Sequence, residues 1–568
     1  MSDLVRQRLA LAGVLLVSAV FFFVGIDWGL PTRSTDAVLF GDRTPWTGKQ
    51  ILSLAPAWND NAARGADVDA NPLVDRSRPI LLNATDADRA ELLRRYRLFS
   101  YQPDEMITFR SLSGMSPGEG RLDPKLYQYG GLWIYPVGAL LKAASTVGLV
   151  TLTSDLAVYL DNPEQFGRFY IVARAYSAAW GLVAVASVFW IVRKLTTSTG
   201  LAAVGALCFA VCPVVVTMAH EAKPHLPGAA LTLLACIAAT KFVETRRSRW
   251  WVITGVLCGA AFGMVLSALW AFVVIPVMVL LTPDLRPTRR LSVIVLCTLI
   301  GILTYAATNP YVLINAITHP EVLRSNVGNS SAMYAVGRWT EGAIHAGALL
   351  MEAAGPGVTL GAGVAGLIAL GRSRWRGLKL ALKSDHAVGL LLFCVCACVM
   401  IQFIALAAGK PGEYARFAIV PSAGLVVCVM VGIHRFARSP RAWLASLSLV
   451  TVPTLGSGMF YLTGFVVTGT PVDTRRFPLV ALEAHRATAR AESRALVVGL
   501  LAEPAPYNTP PLNLFEDRIV LLPSTGASPD VDVVIRVAER VWPFSIVDTP
   551  ISWAVKPIVV EVPAKNRP

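Results

Sequence analysis

Charge is scarce in this chain. Asp, Glu, Lys and Arg make up 15% of its 568 residues, against about a quarter in soluble proteins, while 54% are hydrophobic. Too little polar surface remains to cover a soluble particle of this size, which excludes a large soluble protein with buried helices. Paired cysteines are lacking too. All nine lie inside apolar segments, and the C-x-C-x-C at 394–398 has no histidine beside it. On a helix its side chains splay around the axis, so they read as small hydrophobes rather than a metal site or a disulfide framework. There is no H-E-x-x-H, and no Gly-rich phosphate cradle precedes a helix in the C-terminal region. No small-x-small cleavage site follows the first apolar run, which is longer than a typical signal h-region. That run reads as a retained transmembrane helix with its amino end inside.

What the chain has in abundance is apolar runs near the roughly 18 residues that span a bilayer core. They lie at 9–27, 168–192, 199–218, 226–242, 250–267, 269–282, 291–308, 342–370, 387–408, 415–433 and 443–465. The net charge of +14 does not point to nucleic acid, because the basic residues sit in short loops between these runs. Threaded with the N-terminus inside, the chain puts Arg193 and Lys194, Arg246 to Arg249, Arg286 to Arg290, Arg372 to Lys383 and Arg435 to Arg441 all on one side. The positive-inside rule then predicts about eleven transmembrane helices with the C-terminus outside. A twelfth apolar run, 131–150, would break this pattern by crossing, so it reads as a re-entrant or interfacial helix.

The outside face thereby gains the long loop 28–167, turns near 219–225 and 409–414, the loop 309–340, and a tail from about 468. The tail carries an amphipathic helix at 478–493 and short β-branched runs at 495–501, 518–523, 531–537 and 557–563. This alternation predicts a small soluble α/β domain, so the chain divides at 467/468. Two readings of the proline-rich loop 503–511 stay open: a segment reaching back over the membrane, or a stiffened connection.

Polar residues gather at the predicted outer helix ends. Asp104 and Glu105 (YQPDEMITFR) stand in the first loop, with Arg174 beyond them in ARAYSAAWG. His220, Glu221, Lys223 and His225 fall in MAHEAKPH, and Lys410, Tyr414 and Arg416 in GKPGEYARFAIVP. Any one cation reads as an anchor snorkelling to the interface. Together, carboxylates in one loop and cations on several helices suit a lipid phosphate and a hydroxyl nucleophile that needs a base. HEAKPH reads as a phosphate or acceptor contact more readily than as zinc, because Pro224 breaks any shared helical face for its two histidines.

With these motifs in view the chain resembles membrane glycosyltransferases of the GT-C superfamily, in the branch of protein O-mannosyltransferases and lipid A aminoarabinose transferases. The resemblance runs over residues 1–470. It is carried by WGLP at 28–31, PDE at 103–105 before LYQYGGLWIYPVGALL, ARAYSAAWG at 173–181, PVVVTMAHEAKPH, ATNPYVLINAITHP and GEYARFAIVP. It implies a multi-pass enzyme of the cytoplasmic membrane, at work in cell-envelope glycan biosynthesis with its active site and tail outside. A polyprenyl-phosphate-linked sugar would be the donor, and a glycan, lipid or protein the acceptor. By that resemblance Asp104 is the catalytic base with Glu105 beside it, and Asp36 in PTRSTDAVLFG is its rival. Arg174, Lys223, His225, Lys410, Tyr414 and Arg416 become candidates for holding the donor phosphate. The resemblance names no cofactor, although two adjacent acids could bind a divalent metal. Two departures stand out: the long insertion 32–100, and His225 where relatives often carry Asp. A transporter or flippase of a lipid-linked glycan is the alternative, and a non-catalytic glycan-binding subunit a third reading.

Overall fold

A computed structural model describes residues 2–56, 79–333, 336–372, 387–407, 411–468, 477–501, 509–523, 530–537, 551–556 and 558–563. The basic stretch 374–383, Lys410 and most of the loop 503–511 lie outside them.

Proline punctuates the helices. Pro163, Pro213, Pro287, Pro310 and Pro440 each stand in the first turn of a helix, where the missing N–H costs nothing and φ is already helical. Among the described residues seven helices are long and apolar enough to cross a membrane: Asp3–Phe23, Pro163–Thr196, His225–Thr245, Pro287–Thr308, Ala387–Ala407, Ala415–Phe436 and Pro440–Val467. Two bent pairs raise the number to nine. Thr199–Ala210 and Pro213–Ala219 meet at 63°, and Trp339–Ala354 and Pro356–Leu370 at 116°, the second around Gly355 at φ +83°. Of the eleven predicted spans, 250–267 and 269–282 become shorter elements, the 17-residue helix Ser248–Met264 and the helical stretch Leu266–Leu280. Large apolar side chains such as Leu16, Leu303 and Leu449 are left exposed, as a lipid-facing surface requires. The run at 131–150 forms the 16-residue helix Gly131–Thr146, too short to be counted among the spans.

Ion pairs join the first three basic loops at one end of the bundle. Arg193 reaches Asp3 at 3.0 Å, Lys194 reaches Glu244 at 2.5 Å, and Arg246 reaches Asp284 at 3.1 Å. Helices Pro163–Thr196 and His225–Thr245 run from there to the other end, where the first loop and the tail are found.

The tail strands form at the expected places: β2 (Val497–Leu500), β3 (Arg518–Leu521), β4 (Val533–Val537) and β5 (Ile558–Glu561). The sheet has a fifth strand, β1 (Ile80–Leu81), contributed by the insertion. Its order is β1-β3-β2-β4-β5, with β2 parallel to β3 and β4 and both edge strands antiparallel. Asn83 locks the join. Its amide donates to the Leu514 and Asp517 carbonyls (2.9 and 2.8 Å) and accepts from Ile519 N (3.0 Å). Phe40 and Trp46 pack on Phe515, and Leu514 N donates to Leu39 O at 3.0 Å. Insertion and tail thus share one sheet and one core. This unit is tied to the bundle by Tyr461, whose hydroxyl donates to Glu352 at 2.8 Å and accepts from Ile551 N at 3.4 Å.

Candidate active site

Four of the sequence motifs meet around one buried ion pair. The Glu105 carboxylate accepts Arg174 Nε at 2.8 Å and Nη2 at 2.7 Å, and both side chains are fully buried. Ala222 N adds a hydrogen bond of 2.6 Å, and Ser100 Oγ another. Arg174 Nη1 donates to the carbonyls of Ile26 and Trp28 (2.8 and 2.7 Å), and its guanidinium stacks 5.0 Å from the Trp28 ring. The Trp28 indole in turn donates to His220 O at 2.8 Å. WGLP, PDE, ARAYS and AHEAKPH are therefore four sides of one joint. With every lone pair engaged, such a pair fixes geometry and is costly to open.

Asp104, one residue earlier, is the N-cap of helix Glu105–Ser113, so its side chain leaves the joint. Its Oδ2 lies 2.9 Å from Lys223 Nζ and 3.5 Å from Arg416 Nη1, and the side chain is 33% exposed. Burial works to raise the Asp104 carboxyl, but the Lys223 ammonium and Arg416 guanidinium outweigh it and hold the group at about 2. Lys223 also lies 3.3 Å from the buried Glu221 carboxylate. Burial pushes Glu221 up and the ammonium pulls it down, with burial the stronger. Lys223 is itself raised, its two carboxylates overriding the cost of burial.

Asp104, His225 and Arg416 open onto a cavity of about 320 Å³, lined further by Gln128, Tyr129, Ser267, Trp270, Gln402 and Phe417. His225 is 8% exposed, and neither ring nitrogen has a hydrogen-bond partner among the described residues. It lies between Tyr129 and Phe417, at 6.1 and 6.4 Å between ring centroids. Behind it a narrower space of about 40 Å³ continues between Ala229, Val395, Val399 and Val420.

The wall at Tyr129 is set by the paired glycines that follow it. Gly130 N donates to Met264 O at 3.0 Å and Gly131 N to Asn309 Oδ1 at 2.7 Å. A methyl group on either glycine would lie 1.9 Å from a backbone oxygen, of Gly263 or Thr308 respectively, so no larger residue fits that approach. Asn309 of TNPYVL therefore acts at a distance, holding YQYGG against helix Ser248–Met264.

The structure brings together Asp104, Lys223, His225 and Arg416 from the expected set. It turns Glu105 and Arg174 into the joint beneath them, so the two adjacent acids do not face one ligand. Asp36 is elsewhere, held by Arg97 (3.1 and 2.8 Å) and Arg33 (3.4 Å) within the insertion. Of Tyr414 only the backbone is described, in the 3-10 helix Pro411–Ala418. The two histidines do not converge: His220 Nε2 bonds Val24 O and its Nδ1 bonds Val216 O, both at 2.8 Å. Among the described residues no three His, Cys, Asp or Glu side chains cluster as a metal site. The motifs did not single out Gln128, Tyr129, Ser267, Trp270 and Gln402. Two signals were available: Gln128 and Tyr129 stand in the LYQYGG motif, and Gln402 is the only amide in the apolar run 387–407, where a polar group is costly unless used.

Residues 166–311 match the family model of dolichyl-phosphate-mannose-protein mannosyltransferases. That stretch holds Arg174, Lys223, His225 and the Asn309–Pro310 break, so the match falls on the same motifs as the resemblance. Asp104 and Arg416 lie outside it. Among solved structures the chain is similar to ArnT from Cupriavidus metallidurans bound to undecaprenyl phosphate, with 16% identity, a TM-score of 0.36, and 68% of this chain and 71% of that one covered. No curated protein matches the chain. The protein is a polytopic helical membrane protein with a small sheet-bearing unit at one end.

Proposed function

We propose that this protein is a membrane glycosyltransferase that takes its sugar from a polyprenyl-phosphate donor. The observation that carries the reading is one carboxylate, Asp104, held by Lys223 and Arg416 at a cavity it shares with the unpartnered, buried His225. A phosphate needs cationic and N–H donors at the membrane boundary, and an acceptor hydroxyl needs a base within reach of the same sugar carbon. The family match over 166–311 supports the chemistry. The gathering of basic loops at the far end supports a site and tail on the extracytoplasmic face.

In this reading the acceptor hydroxyl attacks the anomeric carbon while Asp104 takes its proton. The polyprenyl phosphate leaves toward Arg416, with the His225 ring as a second contact. Asp104 at about 2 is a weak base while both cations hold it. A bound phosphate competes for Arg416, and drawing that guanidinium away raises the basicity of Asp104. Lys223, boxed between Asp104 and Glu221, orients the base. Glu105 and Arg174 keep the loop seated. The acceptor would be a glycan, lipid or protein presented at the tail side.

The test is binding of polyprenyl phosphate to purified protein, with and without Arg416→Ala. Affinity should fall at least tenfold in the variant, since a charge-assisted contact contributes about 1.5–3 kcal/mol, and sugar release from a polyprenyl-phosphate donor should cease. Equal affinity in both proteins would move the phosphate away from this cavity and remove the ground for the reading.

A further inference from the structure

Besides Asp104, His225 and Arg416, the polar side chains described along the cavity are neutral: Gln128, Ser267 and Gln402, in a lining that also holds Trp270, Tyr129 and Phe417. We infer that these neutral groups form the sugar subsite, and that it takes a single uncharged sugar ring by its hydroxyls. The inference rests on the transferase reading above and names the substrate class of that same site.

Size comes first. At about 320 Å³ the cavity is at the small end of ligand sites, which run from roughly 300 to 1,000 Å³. One ring fits, with no room for an oligosaccharide. Hydrogen-bonding capacity comes next. The Trp270 indole donates to Gln402, and an indole N–H has no acceptor role. The Gln402 atom facing it must be the carbonyl oxygen, so both amide hydrogens are left to a ligand. No hydrogen bond joins the Gln128 or Ser267 side chain to any described residue. A ring of hydroxyls can satisfy such groups. The apolar faces of Trp270 and Tyr129 suit the C–H face of the same ring.

Charge decides between sugar types. Among the described residues the one carboxylate lining the cavity, Asp104, already has two cations. An ammonium-bearing sugar would enter beside Arg416 and meet amides and a hydroxyl in place of a counter-charge. An ion desolvated without a partner is strongly disfavoured, and like charges brought together add to the cost. A neutral hydroxyl-bearing ring meets neither cost.

The experiment compares three ligands on the full-length protein by competition against labelled polyprenyl phosphate. They are bare polyprenyl phosphate, the same lipid carrying a neutral pyranose, and the same lipid carrying a pyranose with one amino group. We expect the neutral donor to bind about tenfold more tightly than the bare lipid, and the amino donor at least tenfold more weakly than the neutral one. Gln402→Glu should narrow that gap at least tenfold by supplying the missing counter-charge, with the bare lipid as the reference within each variant. Equal or tighter binding of the amino donor by the natural protein would overturn the neutral-sugar assignment. A neutral donor no tighter than bare lipid, or a gap unmoved by Gln402→Glu, would overturn the subsite. Failure of bare polyprenyl phosphate to bind at all would strike the transferase reading itself, and the inference with it.

Discussion

Asp104 and Glu105 are neighbours in sequence with opposite surroundings. Glu105 is sealed, with a bidentate guanidinium, a backbone N–H and a hydroxyl consuming its oxygens. Asp104 stands 33% exposed at a cavity, with one Oδ shared by two cations, one from the turn before helix His225–Thr245 and one from the 3-10 helix Pro411–Ala418. The helix start between them makes the difference: the N-cap residue points out of the joint and the first helical residue into it. A balanced, closed pair can only hold shape. An open cluster in which two cations share one carboxylate can exchange a partner for a substrate, and that is what chemistry needs.

Substitution of each acid sharpens this contrast. Asp104→Asn keeps the shape and removes the base, so turnover should drop about 10²–10⁴-fold, while the thermal unfolding midpoint of the purified protein stays close to the natural one. Asp36→Asn, acting on the Arg97 pair within the insertion, should cost far less turnover. A dead Asp36→Asn protein beside an active Asp104→Asn protein would transfer the role.

Glu105→Gln should do the reverse. It leaves Arg174 buried without its counter-charge, a loss of about 3–5 kcal/mol that is read as a fall in unfolding midpoint and in yield from the membrane. Activity per folded molecule should survive better than in Asp104→Asn. A Glu105→Gln protein as stable as the natural one yet inactive would erase the distinction between the two acids.

The smallest effect concerns Lys223. Its ammonium helps hold Asp104 at about 2, so in the natural enzyme the loss of base by protonation falls near that pH. Lys223→Met removes a cation and raises the Asp104 value. Because the base works only when ionised, the acid limb of kcat/KM should move to higher pH. A limb that stays in place would mean that Lys223 does not tune this carboxylate.

Much of this architecture is legible in the sequence. Apolar length located nine of the eleven predicted spans, counting each bent pair as one. Alternating β-branched runs located β2 to β5 to within a few residues. What local patterns could not supply was the partner of each element. Nothing in ILLNATDADR marks β1 as the edge of a sheet whose other strands begin more than 400 residues later, because its two strand residues gain their register only from β3. The site divides in the same way. Asp104, Lys223, His225 and Arg416 stand out as polar residues at helix ends, yet which acid takes which cation depends on a side-chain direction set by one helix boundary. Gln402 and Ser267 hid inside apolar runs, where their worth is visible only once a cavity is seen beside them.

The shared sheet also sets a timetable. Asn83 and Leu514 are 431 residues apart. At about 5–20 residues per second of synthesis, the first loop waits roughly 20–90 s for the strand that completes it. Throughout that time every helix of the bundle can enter the membrane while the insertion remains without its core. Closure of the sheet therefore waits on the synthesis of the spans that separate its strands in the chain.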